Sequence, residues 1–195
     1  EAKKAEALKS LSHYTADPKA HEALWAHLGA DYFQRFEAGE IAWHTRTLCL
    51  RPKPDQAVVR ARLSPVGEGL QVLVYAHDQP GLFARITGFF ERLQFDIASA
   101  KIYTTNHGYA LDGFQVLSRA RAGEHHRDLI ESIEKKLPDR LAPDAPLDTG
   151  SPGRVSRWAR HFPVEPKVTV QPRRRGAGWQ VFLSGGDRPG LLSAA

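Results

Sequence analysis

Methionine is absent from these 195 residues, and cysteine occurs once, at Cys49. A single thiol excludes an internal disulfide and any thiolate cluster for zinc, in keeping with a reducing compartment. No apolar run approaches the roughly 18 to 20 residues that a helical membrane span needs. The opening EAKKAEALKS lacks the apolar stretch of a signal peptide, so the expected location is the cytoplasm. The missing methionine, at position 1 as elsewhere, leads us to expect a piece of a longer chain. Acidic residues are scarce in one place: between Arg154 and Arg175 seven Lys or Arg face the single acid Glu165. That local +6 lies within a net charge of +5, so the rest of the chain sums to −1. Such a stretch can mark a nucleic-acid footprint. With only Trp158, Phe162 and Trp179 as interleaved aromatics, a solvated linker is the simpler reading.

With 42% hydrophobic and 25% charged residues, the chain can bury a real core in one or two globular domains. Residues 1–50 read as a helical segment: Leu24, Trp25, Leu28, Tyr32, Phe33 and Phe36 recur at helical spacing. Pro18 marks an expected helix start, and Gly29 and Gly39 expected stops. RPKP at 51–54 is a stiff connector. From there the pattern alternates. AVVRARL at 57–63 and LQVLVYA at 70–76 read as paired strands joined by a glycine-containing turn. After Pro80, Leu82, Phe83, Ile86, Phe89, Phe90 and Leu93 form one broad apolar stripe of a helix. DIASAKIYTT and YALDGFQVL flank Asn106-His107-Gly108 as a hairpin. A second helix carries Leu129, Ile130, Ile133 and Leu137 on one face, with Pro138 expected to close it. The order strand, helix, strand, strand, helix, completed by one more strand, predicts an α+β, ferredoxin-like βαββαβ sheet over residues 56–140.

LAPDAPLDTGSPG opens an expected linker over 141–163. Residues 164–195 then repeat the earlier order in PKVTVQP, RRRGAG and WQVFLSGGDRPGLL. Gln71 and Gln180, Asp78 and Asp187, and Pro80 and Pro189 are all separated by 109 positions. A constant offset across strand, turn and motif indicates a tandem repeat. Its second copy is cut short after half a helical turn.

Both copies contain D-x-P-G-L at a strand-to-helix junction. Pro80 suits a first helical turn, and Gly81 has no side chain to block a ligand approaching the backbone. The N–H groups around Gly81, Leu82 and Phe83, with the helix dipole behind them, make a site for a carboxylate or phosphate. Asp78 can cap those groups or bind an ammonium group instead. A carboxylate beside an anion site suits a free α-amino acid. The simpler alternative is that Asp78 and Pro80 only start a helix.

HDQPGLFARITGFFERLQFDIASAKIYTTNHGYALDGFQVL resembles the first ACT domain of the bacterial PII uridylyltransferase/uridylyl-removing enzyme family. GGDRPGLLSAA resembles the opening of the second, and YFQRFEAGEIAWHTR at 32–46 the helical stretch that follows the HD hydrolase domain, itself absent here. The resemblance implies an ACT domain preceded by a helical segment and followed by a truncated second ACT domain. It implies a regulatory module that senses glutamine and thereby controls uridylylation and deuridylylation of PII. By the same resemblance the ligand positions are Asp78, Gln79, Gly81, Leu82 and Phe83 at the first junction and Asp96, Ile97 and Ala98 on the following strand. Asp187, Arg188, Gly190 and Leu191 match in the second copy. ACT domains bind such ligands where two domains pair, so pairing between chains is an expectation too. No Gly-Ser segment followed by D-x-D is present, so no catalytic residue, cofactor or metal site is expected here. The parent enzyme is expected to use a divalent metal, Mg.

His77-Asp78 spells the dipeptide of metal-dependent phosphohydrolases, but it ends a strand without further ligands nearby in sequence. His125-His126 reads as solvated surface, and Trp43 and His44 as packing residues. Cys49 has no visible base-and-orienter pair. The alternative function is an RNA-binding module of the same topology, because HGYALDGF partly matches the third-strand motif of an RNA-recognition domain. Leu111 stands where the platform aromatic belongs, and Asp112 would repel the RNA backbone.

Overall fold

The computed structural model describes residues 2–12, 19, 21–49, 56–119, 125–146, 165, 167–172 and 179–185. The helical segment contains α1 (Ala2–Leu11), α2 (Glu22–Trp25), α3 (Ala30–Arg35) and α4 (Ala38–Cys49). Pro18 lies outside the described residues. Neither glycine stops a helix: α2 ends at Trp25, Gly29 is the N-cap of α3, and Gly39 lies inside α4. The break falls instead at Phe36, whose extended backbone (φ −97°, ψ 150°) ends α3. The Glu37 N–H donates to Glu40 Oε2 at 2.8 Å, so a reaching carboxylate starts α4 in the manner of a capping box.

The sheet follows as β1 (Val58–Leu63), β2 (Leu70–His77), α5 (Leu82–Arg92), β3 (Phe95–Lys101), β4 (Tyr109–Ser118) and α6 (His126–Arg140). Its strands are antiparallel in the order β1-β2-β4-β3. The α+β, ACT-type layering is as expected, and so is the pairing of β1 with β2. Among the described residues β1 fills the place that a strand after α6 was expected to take, because a short hairpin pairs antiparallel neighbours directly. Gly69 makes that hairpin possible. At its φ of 85° an added Cβ would come within 2.2 Å of the Val116 carbonyl oxygen. Pro138 does not close α6, which continues to Arg140; a proline in the last turn breaks a helix that is about to end anyway.

Both faces of the sheet are covered. On one, α5 and α6 bring Leu82, Ile86, Phe89, Phe90, Ile133 and Leu137 onto Leu70, Val72, Val74, Phe114 and Val116. On the other, Tyr32, Phe36, Ile41 and Trp43 pack with Leu73, Tyr75 and Leu111. This is why β2 is buried at every position but His77. The helical segment and sheet share a polar seam as well. Glu40 accepts from Gln71 Nε2 at 2.8 Å and pairs with Lys101 at 2.5 Å. Arg62 donates twice to Gln71 Oε1, at 2.9 and 2.7 Å, and lies over the Trp43 ring.

Beyond α6, β5 (Lys167–Pro172) pairs antiparallel with β6 (Trp179–Ser184). Lys167 stands opposite Ser184 as Val58 stands opposite Tyr75, and Pro172 opposite Trp179 as Leu63 opposite Leu70. The offset of 109 thus extends to the pairing register. Val168, Val170, Trp179, Val181 and Leu183, at the positions of Val59, Ala61, Leu70, Val72 and Val74, are all exposed.

Candidate functional site

The candidate site lies where β2 hands over to α5. Gln79-Pro80-Gly81-Leu82 is a tight turn closed by Leu82 N–H to the Gln79 carbonyl at 3.1 Å. Gly81 has φ 79° and ψ 3°, the geometry of position three in a type II turn, which favours glycine strongly. Pro80 therefore sits in the turn and not in the first helical turn, since α5 begins at Leu82. The N–H groups of Gly81, Phe83 and Ala84 have no hydrogen-bond acceptor among the described residues. Three free amides thus converge at the positive end of an eleven-residue helix.

Asp78 does not cap them. Its own N–H donates to the Gly108 carbonyl at 3.0 Å, and its Oδ2 accepts from the Thr104 hydroxyl at 3.0 Å. The carboxylate is exposed and has Oδ1 to spare. Gln79 is half-buried, and its Nε2 donates to the Leu141 carbonyl at 2.6 Å. Leu82 is buried in the core, so only its backbone belongs to the site. Phe83 is partly buried and stacks at 6.2 Å on Phe114.

Asp96, Ile97 and Ala98 lie elsewhere. Asp96 pairs across the sheet with Leu117, whereas His77, next to Asp78, pairs with Tyr109. Eight residues of β4 separate those rungs, about 26 Å of strand. Asp96 holds Arg119 Nε at 2.9 Å, and the register shifts between Ile97 and Ser99, leaving Ala98 exposed. The two groups of expected ligand positions therefore stand far apart within one domain. A ligand touching both kinds needs a second domain. Asp187, Arg188, Gly190 and Leu191 lie outside the described residues.

Sequence reasoning missed three features around the junction. The first is Asp112, which appeared above only as a mismatch to an RNA motif. It is 2% exposed on the α5 side of β4, between Ala110 and Phe114. Burial pushes its carboxyl up to about 7; a hydrogen bond from the Tyr103 N–H opposes this, and the Asp78 charge adds to it. The second is an aromatic cluster joining the junction to the helices. Tyr109 and His77 meet at 2.9 Å, as do Tyr75 and His107, and the His107 ring lies 4.0 Å from His27. The third is the Gly29 N–H, which donates to the Tyr103 hydroxyl at 2.7 Å. Alternating pattern could have flagged Asp112 as a carboxylate on a buried face; the other two depend on tertiary approach.

Trp43 and His44 are core residues: His44 is 1% exposed, and burial holds its imidazole down at about 3. Burial raises the Cys49 thiol. His125 and His126 are exposed at the start of α6. Among the described residues no three His, Cys, Asp or Glu side chains could hold a metal ion. No described helix is long and apolar enough to cross a membrane. The RNA-binding alternative loses its platform, because Leu111 and Tyr75 on the face opposite α5 and α6 are buried under the helical segment.

Comparison with known proteins divides the chain in the same way. The family model for the uridylyltransferase GlnD fifth domain matches residues 1–47, and that for the ACT domain matches residues 70–139. A bifunctional uridylyltransferase/uridylyl-removing enzyme of Aromatoleum aromaticum is 48% identical over 184 residues, 94% of this chain and 21% of the relative. Enzymes of the same name from Thiobacillus denitrificans and Ralstonia nicotianae are 46% and 47% identical over 99% and 100% of this chain, each covered over 23% of its length. The chain spans about a fifth of the length of these curated relatives. No solved structure matches at the same level of significance.

Proposed function

Since the chain belongs to the family of bifunctional uridylyltransferase/uridylyl-removing enzymes, as the part that carries an ACT domain, we propose that it is the glutamine-sensing regulatory module of such an enzyme. In this reading it governs the attachment and removal of uridylyl groups on the PII protein, and the catalytic work belongs to other domains of the parent enzyme. The observation that carries it is the pairing of charges at the junction. Free amides of Gly81, Phe83 and Ala84 suit an α-carboxylate, and the exposed Asp78 carboxylate suits an α-ammonium group. The Gln79 carboxamide, with a second N–H and its oxygen, can meet a side-chain amide.

Regulation requires that glutamine bind one domain arrangement better than another. The separation of the Asp78 and Asp96 half-sites supplies that condition: a ligand in contact with both kinds favours two ACT domains closed on each other. A route toward catalytic domains is supported by contacts of the helical segment beside the site. Asp78 holds Thr104, and the neighbouring Tyr103 hydroxyl holds the Gly29 N–H of the helical segment. The second domain in this reading is built on β5 and β6 with Asp187, Arg188, Gly190 and Leu191 at its junction.

The test is the glutamine dependence of both activities in the full-length enzyme. Glutamine should repress uridylylation and promote uridylyl removal, and Asp78→Ala should shift the half-maximal glutamine concentration upward by about tenfold or more, the worth of one charge-assisted contact. Unshifted responses in Asp78→Ala would take the first junction out of the mechanism.

A further inference from the structure

The chain leaving α6 turns back along α5. Gln79 Nε2 donates to the Leu141 carbonyl at 2.6 Å, Arg85 Nη2 to the Pro143 carbonyl at 3.1 Å, and Arg85 Nη1 to the Ala145 carbonyl. Arg85 is only 8% exposed, and its Nε has no partner among the described residues. Burying a guanidinium is costly unless its N–H groups find acceptors, and here main-chain carbonyls of 143 and 145 supply them. Beneath Ala142–Pro146 lies a cavity of about 740 Å³ floored by Phe89 and Leu93 of α5 and walled by Lys136 of α6. Leu141, the C-cap of α6, is packed in the core, and beyond it hydrogen bonds to Arg85 hold the segment across the groove.

The tandem repeat carries the motif without the residues that make this contact. At an offset of 109, Asp78, Pro80, Gly81 and Leu82 recur as Asp187, Pro189, Gly190 and Leu191. Gln79 and Arg85 become Arg188 and Ala194. The D-x-P-G-L letters recur while both residues that hold the segment are replaced, so in this sequence the motif and the clamp do not travel together. What they share is the start of the connection from the first sheet to the β5–β6 hairpin.

We propose that residues 141–146 form a strap clamped by Gln79 and Arg85, and that docking of this strap and ligand occupancy of the junction favour each other. The coupling half rests on the reading of the junction as a glutamine site. Gln79 offers two N–H donors and one oxygen. Its bond to Leu141 uses one donor and restricts the rotamer, leaving a second N–H and the oxygen for a ligand. A docked strap has already met the entropic cost of ordering that side chain. By linkage, a bound ligand returns the same preference to the strap.

Hydrogen exchange of this chain, followed by mass spectrometry, tests both halves. Arg85→Met keeps the apolar stem and removes the donors. It should speed exchange across 141–146 by about tenfold or more while β2 and α5 keep their protection. Arg85→Lys, which cannot span both carbonyls, should restore little of the loss. Glutamine should slow strap exchange in the unmodified chain, and Gln79→Ala should abolish that slowing while some glutamine still binds. A strap equally protected in Arg85→Met overturns the clamp. Calorimetrically confirmed glutamine binding that leaves strap exchange unchanged overturns the coupling. Absence of glutamine binding, with the strap still released by Arg85→Met, overturns the glutamine reading and the coupling together and supports the clamp.

Discussion

Gln71 Nε2 and Glu40 Oε1 are 2.8 Å apart, one on the sheet and the other on α4. The Glu40 carboxylate is the centre of the seam, since it also takes Lys101 and the Glu37 N–H, and its side chain is only 12% exposed. Glu40→Ala removes the carboxylate that the half-buried Lys101 ammonium and the buried Gln71 Nε2 bond to, while Arg62 still holds Gln71 Oε1. We expect a loss of about 2 to 4 kcal/mol in urea unfolding. Paired with Gln71→Ala in a double-mutant cycle, it should show a coupling of about 1 kcal/mol.

Asp112 predicts an unusual dependence on pH. Burial raises its carboxyl from an ordinary 3.8 to about 7 in the fold, so the folded state holds a proton that the unfolded chain has released. Its contribution is fully present below pH 3.8 and is lost as pH rises through about 7, at about 1.4 kcal/mol per unit. Asp112→Asn keeps an acceptor for the Tyr103 N–H. Unfolding measured from pH 4 to 8 should show this variant gaining on the parent chain with rising pH.

His44 acts in the opposite sense. Burial lowers its imidazole from 6.5 to about 3, with Arg62 and Lys101 adding to the effect, so the fold requires it neutral. That stability is present above pH 6.5 and is lost as pH falls toward 3. His44→Gln should flatten the acid limb of the stability profile. An unchanged acid limb would mean that His44 is not held neutral.

Two glycines should respond with opposite signs to alanine. Gly81 has φ 79°, where a Cβ is strained, so Gly81→Ala should cost about 1 to 2 kcal/mol. Gly39 lies in α4, where an added Cβ meets nothing within 4 Å, so Gly39→Ala should stabilise by about 0.5 to 1 kcal/mol. Thermal unfolding of the two variants checks both.

The parts legible in the sequence were those governed by local periodicity. Alternation located β1 and β2 to within a residue, and the stripe from Leu82 to Leu93 gave α5. Position in the sheet was not local: nothing within AVVRARL says that it takes the place expected of a later strand. Nor does YFQRFEAGEIAWHTR say that Tyr32 and Phe36 cover the second face of the sheet, a contact made across forty residues or more of chain. At the site, the glycine of D-x-P-G-L was readable as a special backbone position. The use of Asp78 by Thr104, the bond from Gln79 to Leu141 and the burial of Asp112 arise only once distant segments meet. Motif matching likewise placed Asp78 and Asp96 in one list of contacts, while strand register sets them at opposite ends of the sheet.

Isothermal titration of glutamine into the full-length enzyme, alongside glutamate and alongside the Asp78→Ala and Asp187→Ala variants, tests the central claim most directly. The account predicts saturable binding of glutamine, glutamate weaker by about tenfold or more because its carboxylate loses the amide contacts, and weakened binding in Asp78→Ala. No glutamine binding, or equal binding of both ligands untouched by either substitution, would contradict it.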